Sequence, residues 1–188
     1  MRLVIGLGNP GPRYALTRHN VGFMFLDRLC NVLECDEWRS NRNYLWNEVK
    51  VIGKRVFLVK PMTYMNLSGE IFPEVLYSFN VEKMSDIIVV YDDISIPLGS
   101  LRIKKRGSDG GHNGMKSIIN ALGTRDIPRM RIGIGPKPFT ISTADYVLSE
   151  FTDDELETIF SVLSKAIEAF EVILKDGIDK AMSLYNTS

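Results

Sequence analysis

The sequence predicts a single α/β domain over residues 1–188, with a twisted, largely parallel mixed sheet and helices on both faces. Two continuous apolar runs, residues 3–7 and 87–91, are typical of strands buried on both sides. Apolar residues at helical spacing follow the first run and recur between Leu156 and Leu174. The 188 residues, 45% of them hydrophobic, are enough to bury one core without disulfides or metals.

In the first half of the chain, glycine and proline separate the elements. Gly8 to Pro12 ends the first strand, and a helix is predicted from Asn20, which can cap it. Residues 44–52 and 55–60 flank Gly53-Lys54 and indicate a hairpin. Residues 61–65 then form a loop, and a helix is expected from Asn66 or Ser68 to Phe79.

In the second half, strands and helices alternate again. Alternation over residues 101–104 favours a half-exposed strand, and residues 129–134 predict another. Between them lie a glycine-rich loop at 107–114 and a helix at 115–122. Thr152 and Glu155 match a capping box that opens a C-terminal helix ending at Gly177. Residues 136–150 begin with two prolines, and we expect a segment that could act as a mobile lid.

The charge is balanced overall but unevenly distributed. The chain has 23 basic and 23 acidic residues, yet residues 99–137 carry nine basic and two acidic side chains. Residues 138–188 carry three basic and ten acidic side chains. The basic stretch suits a phosphate or nucleic-acid surface. The alternative is a solvated face paired with the acidic segment.

Composition also predicts the compartment. Cys30 and Cys35 are five positions apart in one apolar stretch, a spacing that fits neither a zinc site nor a redox pair. They are expected to be core residues in a reducing compartment. No apolar run approaches about 18 residues, so no membrane span is expected. We therefore expect a cytoplasmic protein.

The most familiar motif is misleading. Residues 6–11 read GLGNPG, which matches the G-x-G-x-x-G of dinucleotide-binding folds. That fingerprint requires a helix to open inside the motif, whereas Pro12 biases Gly11 away from helical conformation. The acidic residue expected after a second strand is also missing, because Asp27 and Glu34 fall in the predicted helix.

Polar residues after the predicted strands are candidates for chemistry. The two histidines, His19 and His112, both precede an asparagine, and either could take a proton from water. Asp92 or Asp93, at the end of a buried strand, could orient a histidine. No G-x-S-x-G elbow is present, so histidine-activated water without a metal is the simplest hydrolytic hypothesis. Each of these residues could instead be an ordinary loop or turn residue.

Three asparagines, Asn9, Asn66 and Asn113, lie in candidate site loops. A carboxamide both donates and accepts hydrogen bonds, which suits binding an amide or orienting a water. The glycine-rich loop can direct N–H groups at an anion, and Lys104 and Lys105 stand beside it. The asparagines could instead be ordinary turn or cap residues. The glycine-rich loop could instead be a turn flanked by solvated basic side chains.

Six blocks, in order, match one family. They are VIGLGNPG (4–11), TRHNVG (17–22), KPMTYMNLSG (60–69), Asp92-Asp93, GGHNG (110–114) and RMRIGIG (129–135). The chain thereby resembles bacterial-type peptidyl-tRNA hydrolase over essentially its whole length. The resemblance implies a monomeric α/β enzyme, without metal or cofactor, that cleaves the ester between peptide and tRNA and recycles the tRNA.

The resemblance also implies roles for individual residues. His19 would activate water and Asp92 would orient it, while Asn9 would bond the first peptide amide. Asn66 and Asn113 would hold the substrate or the water, His112 would also bind the substrate, and Tyr14 and Tyr64 would hold the RNA end. Phosphates would meet the basic stretch, in which Lys104, Lys105 and Arg131 are the candidates.

The sequence departs from the family pattern where an aspartate usually stands three residues after Asp92, a position that Ser95 occupies here. A catalytically inactive RNA-binding module on the same scaffold is the alternative function. The intact His19 and Asp92 argue against it.

Overall fold

A computed structural model describes residues 1 and 3–186. Its strands form one seven-stranded sheet in the order β2-β3-β4-β1-β5-β7-β6. The strands are β1 (Leu3–Gly6), β2 (Arg39–Ser40), β3 (Tyr44–Val51), β4 (Lys54–Pro61), β5 (Ile87–Pro97), β6 (Leu101–Lys104) and β7 (Arg129–Gly135). The central strands β4, β1, β5 and β7 run parallel, while β3 and β6 pair antiparallel at the two sides. The predicted α/β class with a largely parallel mixed sheet is confirmed.

Helices cover both faces of this sheet. They are α1 (Val21–Leu33), α2 (Phe72–Ser78), α3 (Asn113–Leu122), α4 (Thr143–Val147), α5 (Asp153–Asp176) and α6 (Ile178–Tyr185). Helices α1 and α5 pack on the face that carries Val4 and Val90, whereas α2 and α3 pack on the face that carries Ile5 and Val89. Successive side chains of a strand point to opposite faces, so each buried run supplies both cores.

Helix α1 lies unusually close to the sheet. A Cβ on Gly22 would come within 2.4 Å of the backbone nitrogen of Leu7 and of the Val90 carbonyl oxygen. Only glycine permits this approach, since such a contact would force the backbone to move. The chain immediately before α1, including His19, is thereby held against the carboxyl ends of β1 and β5, where sites form in open α/β sheets.

Several element boundaries differ from the sequence expectation. Helix α1 begins at Val21 with Asn20 at its N-cap position, as predicted, but the Asn20 side chain makes no capping hydrogen bond, and Asn20 also ends a short 3-10 turn, Arg18–Asn20. The helix expected from 66 or 68 to 79 is instead a 3-10 segment, Met65–Ile71, followed by α2, with a proline in the first turn of α2. Strand β5 extends six residues beyond Tyr91, to Pro97.

At the C-terminal side, the capping box is confirmed. The Thr152 hydroxyl accepts from the Glu155 backbone N–H, and the Glu155 carboxylate accepts from the Thr152 N–H. Strand β2 and helices α4 and α6 were not predicted. Among the described residues, none of the helices is both long enough and apolar enough to cross a bilayer.

Candidate active site

Two histidines and one aspartate form a buried cluster at the carboxyl ends of β1 and β5. His19 Nδ1 lies 2.9 Å from Asp92 Oδ2 and 3.0 Å from Oδ1. His112 Nε2 lies 2.8 Å from the same Oδ1. The two imidazole rings are tilted neighbours, with centroids 4.9 Å apart. The structure thus brings together both histidines and the first of the two candidate aspartates.

Hydrogen bonds determine which ring nitrogens carry protons. His112 Nδ1 accepts from the backbone N–H of Met115 at 3.2 Å and caps α3, so Nε2 carries the proton that Asp92 accepts. His19 donates from Nδ1 to Asp92, which leaves the Nε2 lone pair available as a base. An imidazole held in this tautomer by a carboxylate is oriented to remove a proton from water.

The electrostatics of the cluster favour transfer of a proton to His19. Burial alone would raise the pKa of Asp92, but the attraction of His19 and His112 and their hydrogen bonds outweigh it and lower that pKa. Burial alone would lower the pKa of His19, but the charge of Asp92 and its hydrogen bond raise the net value. Asp92 therefore stays ionised and can stabilise an imidazolium on His19.

The same three residues are also close enough to hold a metal ion. Their ligand atoms all lie within 4.8 Å of one another. In the structure, the imidazole nitrogens meet the carboxylate at 2.8–3.0 Å, which is direct hydrogen-bond distance. A metal ion bound here would have to displace the protons of these hydrogen bonds.

Asn9 is held beside the cluster by a second network. Its Oδ1 accepts from the Met65 backbone N–H at 2.8 Å. Its backbone N–H donates to Asn20 Oδ1 at 2.9 Å, and its carbonyl accepts from Asn20 Nδ2 at 3.0 Å. Asn20 thus fixes the Asn9 backbone from both sides. With Oδ1 occupied, the Asn9 carboxamide has its Nδ2 donors left for a ligand.

Asn20 was missed as a site residue because its position before a helix indicated a cap. The signal that could have found it is its place directly after His19, since one short turn then delivers both side chains to the strand ends. The bonds it makes to Asn9 join residues 11 positions apart, and sequence spacing did not indicate them.

Arg18 anchors this turn to the C-terminal helix. Its guanidinium donates to both Glu155 oxygens at 2.7 and 3.0 Å and to Ser149 Oγ at 3.0 Å. The group also lies over the rings of Tyr146 and Phe151, at 4.5 and 5.1 Å from their centroids. The carboxylate that completes the α5 capping box therefore also holds the residue next to His19.

A cavity of about 460 Å³ opens beside the histidine cluster. Asn113, the first residue of α3, lines it together with His112, and the α4 residues Thr143, Ala144 and Val147 form another wall. The segment expected to act as a lid therefore contributes to the cavity. Asn66 lies elsewhere, on the exposed surface of the 3-10 segment that follows Tyr64.

The predicted tyrosines, Tyr14 and Tyr64, are neighbours in the structure. Tyr14 and Tyr64 meet edge to face, with ring centroids 6.3 Å apart. Tyr64 is half exposed and adopts a φ of 68°, which is uncommon for a side chain of this size. The next residue, Met65, bonds Asn9, so the tyrosine pair lies close to Asn9.

The predicted basic residues are separated by the structure. Lys104 and Arg131 line one groove, a hollow of about 60 Å³ that also contacts the glycine-rich loop. This basic groove shares Tyr91, Asp93, Asp109 and Gly110 with the larger cavity. Lys105 lies outside it and pairs with Asp179 on α6, with 2.6 Å between nitrogen and oxygen.

Arg131 has unused hydrogen-bonding capacity. Its Nη1 donates to Asp93 Oδ2 at 2.9 Å, whereas its Nε is buried and has no partner among the described residues. Asp93 also accepts from the backbone N–H and hydroxyl of Ser95, at 2.8 and 2.6 Å. Ser95, the residue that departs from the family pattern, thus closes a turn on Asp93 and does not touch the histidines.

The fold and the site define an α/β protein with a histidine–carboxylate centre at the carboxyl edge of its sheet, a class suited to hydrolysis. The family model described as peptidyl-tRNA hydrolase matches residues 3–188. The chain belongs to the peptidyl-tRNA hydrolase family.

Individual relatives agree with this assignment. A protein named peptidyl-tRNA hydrolase from Thermotoga sp. (strain RQ2) is 56% identical over 98% of this chain and 97% of its own length. One of the same name from Elusimicrobium minutum is 45% identical over 99% of each chain. The crystal structure of peptidyl-tRNA hydrolase from Acinetobacter baumannii superposes with a TM-score of 0.91, at 28% identity, over 100% of this chain and 95% of the other.

Proposed function

We propose that the protein hydrolyses the ester between a peptide and the 3′ ribose of tRNA, and so returns the tRNA to translation. One observation carries the proposal: His19 Nε2 is left as a free base because Asp92 accepts the proton on Nδ1 at 2.9 Å. The nucleophile is then water, and no side-chain nucleophile is needed. Family membership supports the choice of substrate.

The reaction follows from these positions. His19 Nε2 removes a proton as the water oxygen bonds to the ester carbonyl carbon, and Asp92 stabilises the imidazolium that forms. The tetrahedral intermediate then collapses, the bond from carbonyl carbon to ribose oxygen breaks, and His19 returns its proton to that oxygen. Asn113, beside the cluster, supplies a carboxamide that holds the water or the reacting ester, and Asn66, on the exposed 3-10 segment, would contact the substrate outside the cavity.

Asn9 distinguishes peptidyl from aminoacyl substrates. Its free Nδ2 donors suit the carbonyl oxygen of the first peptide amide, a group that an aminoacyl ester lacks. A site built to hydrogen-bond a substrate group discriminates strongly against an analogue without that group, because the polar partner then stays unpaired.

The RNA would lie over the larger cavity and the basic groove. Lys104 and Arg131 offer cationic donors to backbone phosphates, which give affinity without reading sequence. The terminal base can stack on the half-exposed Tyr64, with Tyr14 behind it. The site is built from one chain and the substrate belongs to translation, so we propose a cytoplasmic monomer that needs no cofactor.

The experiment is cleavage of N-acetyl-aminoacyl-tRNA by protein treated with EDTA, with free aminoacyl-tRNA as the control substrate. We expect the blocked substrate to be cleaved and the free one to be spared. Binding of tRNA by folded protein without cleavage of either ester would contradict the proposal and favour the RNA-binding module.

A further inference from the structure

A second, smaller pocket is lined by Asn9 and lies outside the histidine cluster. It encloses about 190 Å³, below the roughly 300–1,000 Å³ typical of pockets for whole small molecules. This pocket, here called the Asn9 pocket, includes Asn9 and Asn20 but none of the histidine cluster. Most of its other walls are apolar, and the important ones are Ala15, Phe23, Leu45 and Met62.

One wall of the Asn9 pocket carries a buried ammonium group. Lys60, at the carboxyl end of β4, is only 7% exposed. Its Nζ pairs with Asp27 and lies over the rings of Phe23 and Trp38, at 5.3 and 4.5 Å from their centroids. The Asp27 carboxylate lines the same pocket and is 52% exposed, so this wall carries a paired ammonium and carboxylate.

The Asn9 pocket and the larger cavity share no lining residue. The larger cavity holds His19 and Asp92 and continues into the basic groove, whereas the Asn9 pocket begins at Asn9 and extends toward β3 and β4. An ester carbonyl at His19 thus has the ribose and its phosphates on one side. The first peptide amide, bonded by Asn9, would lie on the other side, and the residue beyond that amide would enter the Asn9 pocket.

We propose that the Asn9 pocket binds the side chain of the peptide residue that precedes the one esterified to tRNA, and that it selects apolar side chains. The volume suits one side chain, and binding is favoured when a leucine-sized group displaces water from the apolar walls. Glycine leaves the pocket unfilled, and a lysine side chain would lose the hydration of its ammonium among apolar walls where Asp27 is already paired with Lys60. This inference rests on the proposed function and deepens it.

The test uses three substrates that share one tRNA and one esterified phenylalanine: N-acetyl-glycyl-, N-acetyl-leucyl- and N-acetyl-lysyl-phenylalanyl-tRNA. We expect kcat/KM for the leucyl substrate to exceed that for the glycyl substrate by about tenfold, the effect of burying one aliphatic side chain. The lysyl substrate should gain nothing over glycyl. A ratio between substrates is unaffected by a misfolded fraction, which lowers all rates alike.

Variants then locate the selective pocket. Ala15→Phe places a ring at the exposed mouth of the Asn9 pocket and should reduce the leucyl-to-glycyl ratio to about one. Leu16→Phe, a matched change at the next exposed position outside the pocket, should leave the ratio near tenfold. Ala144→Phe fills the larger cavity and should lower the rates for all substrates together, with the ratio kept.

Each other outcome overturns the inference in a recognisable way. Equal rates for leucyl and glycyl substrates in the unaltered protein mean that no such selection exists. Loss of the ratio in Ala144→Phe but not in Ala15→Phe would place the peptide in the larger cavity. Failure of the unaltered protein to cleave any of the three substrates would overturn the proposed function itself, and with it this inference.

Discussion

The histidine cluster and the basic groove are neighbours on β5, yet their polar groups are used differently. Asp92 accepts from both histidines and is 2% exposed. The next residue, Asp93, holds Arg131, whose Nε is left without a partner among the described residues. Asp92 thus belongs to a network whose hydrogen bonds are made, whereas Asp93 belongs to one in which a buried N–H has no partner among the described residues.

The difference indicates when each region completes its interactions. In the cluster, the hydrogen bonds that fix His19 exist before any ligand arrives, so no reorganisation is needed at the moment of reaction. In the groove, a buried N–H without a partner is costly, and an anion would satisfy it. Changes in the cluster should therefore act on kcat, and changes in the groove should act on KM.

The largest effect is expected from His19→Asn. Without the base, kcat for N-acetyl-aminoacyl-tRNA should fall about 10³-fold, while His112 still bonds Asp92 and the fold is kept. Single-turnover cleavage measures the loss, and thermal unfolding serves as the control for folding. A fall of less than tenfold in a folded variant would show that His19 is not the base.

The next largest effect is expected from Asp92→Asn, which should lower kcat by about 10²-fold or more. The same change alters the pH dependence. Activity requires neutral His19, so the rate should rise with pH through the pKa of His19, which Asp92 raises above its usual value.

With Asp92 neutral, this support for imidazolium is lost, and the rising limb should move to lower pH. The measurement is kcat/KM against pH for both proteins. A limb that stays in place would mean that Asp92 does not interact with the titrating group.

A smaller effect is expected from Asn20→Ala, which removes both bonds to the Asn9 backbone. Asn9 should lose its fixed position, and kcat/KM for the blocked substrate should fall about tenfold, the effect of losing about one neutral hydrogen bond to the substrate. Cleavage of free aminoacyl-tRNA should change less, so the ratio of kcat/KM for the blocked substrate to that for the free substrate should fall.

Asn120→Ala, an exposed asparagine on α3, is the matched control for this change. If both substrates slow by the same factor in Asn20→Ala, Asn20 supports the fold without positioning the discriminating residue.

The smallest effect is expected from changes at two adjacent lysines, Lys104 and Lys105, of which only Lys104 lines the basic groove. Lys104→Ala should raise KM a few-fold and reduce the slope of log(kcat/KM) against log salt by about 0.7–0.9, as for one lost phosphate contact. Lys105→Ala should leave both unchanged, because that ammonium is engaged with Asp179 outside the groove. Equal effects of the two changes would move the phosphate path away from the basic groove.

The buried strands were predictable from the sequence, because an uninterrupted apolar run such as residues 87–90 has few other interpretations. The polar residues at the strand ends followed from the same rule together with the family resemblance. The sequence could not show the contacts that depend on the tertiary structure. Asn20 had a satisfactory local interpretation as a cap, and only the fold brings it to Asn9.

Short helices escaped prediction for the same reason. Helix α4 has five residues and depends on Tyr146, which is 6% exposed and packs under the Arg18 guanidinium. Isolated helices of this length are unstable in water, so a local pattern carries little signal for them. Likewise, nothing in the sequence around Lys104 and Lys105 distinguished the lysine in the groove from the one paired with α6.

The double use of Glu155 links events at distant parts of the chain. Its carboxylate accepts from the Thr152 N–H at the start of α5 and from Arg18 beside His19, and the hydrogen bond from Arg18 lowers its pKa. Fraying of the first turn of α5 would release Arg18, and displacement of Arg18 would weaken the helix start by the same free energy. A substrate that orders the turn around His19 should therefore slow hydrogen exchange in the first turn of α5, far along the sequence from the bond being cleaved.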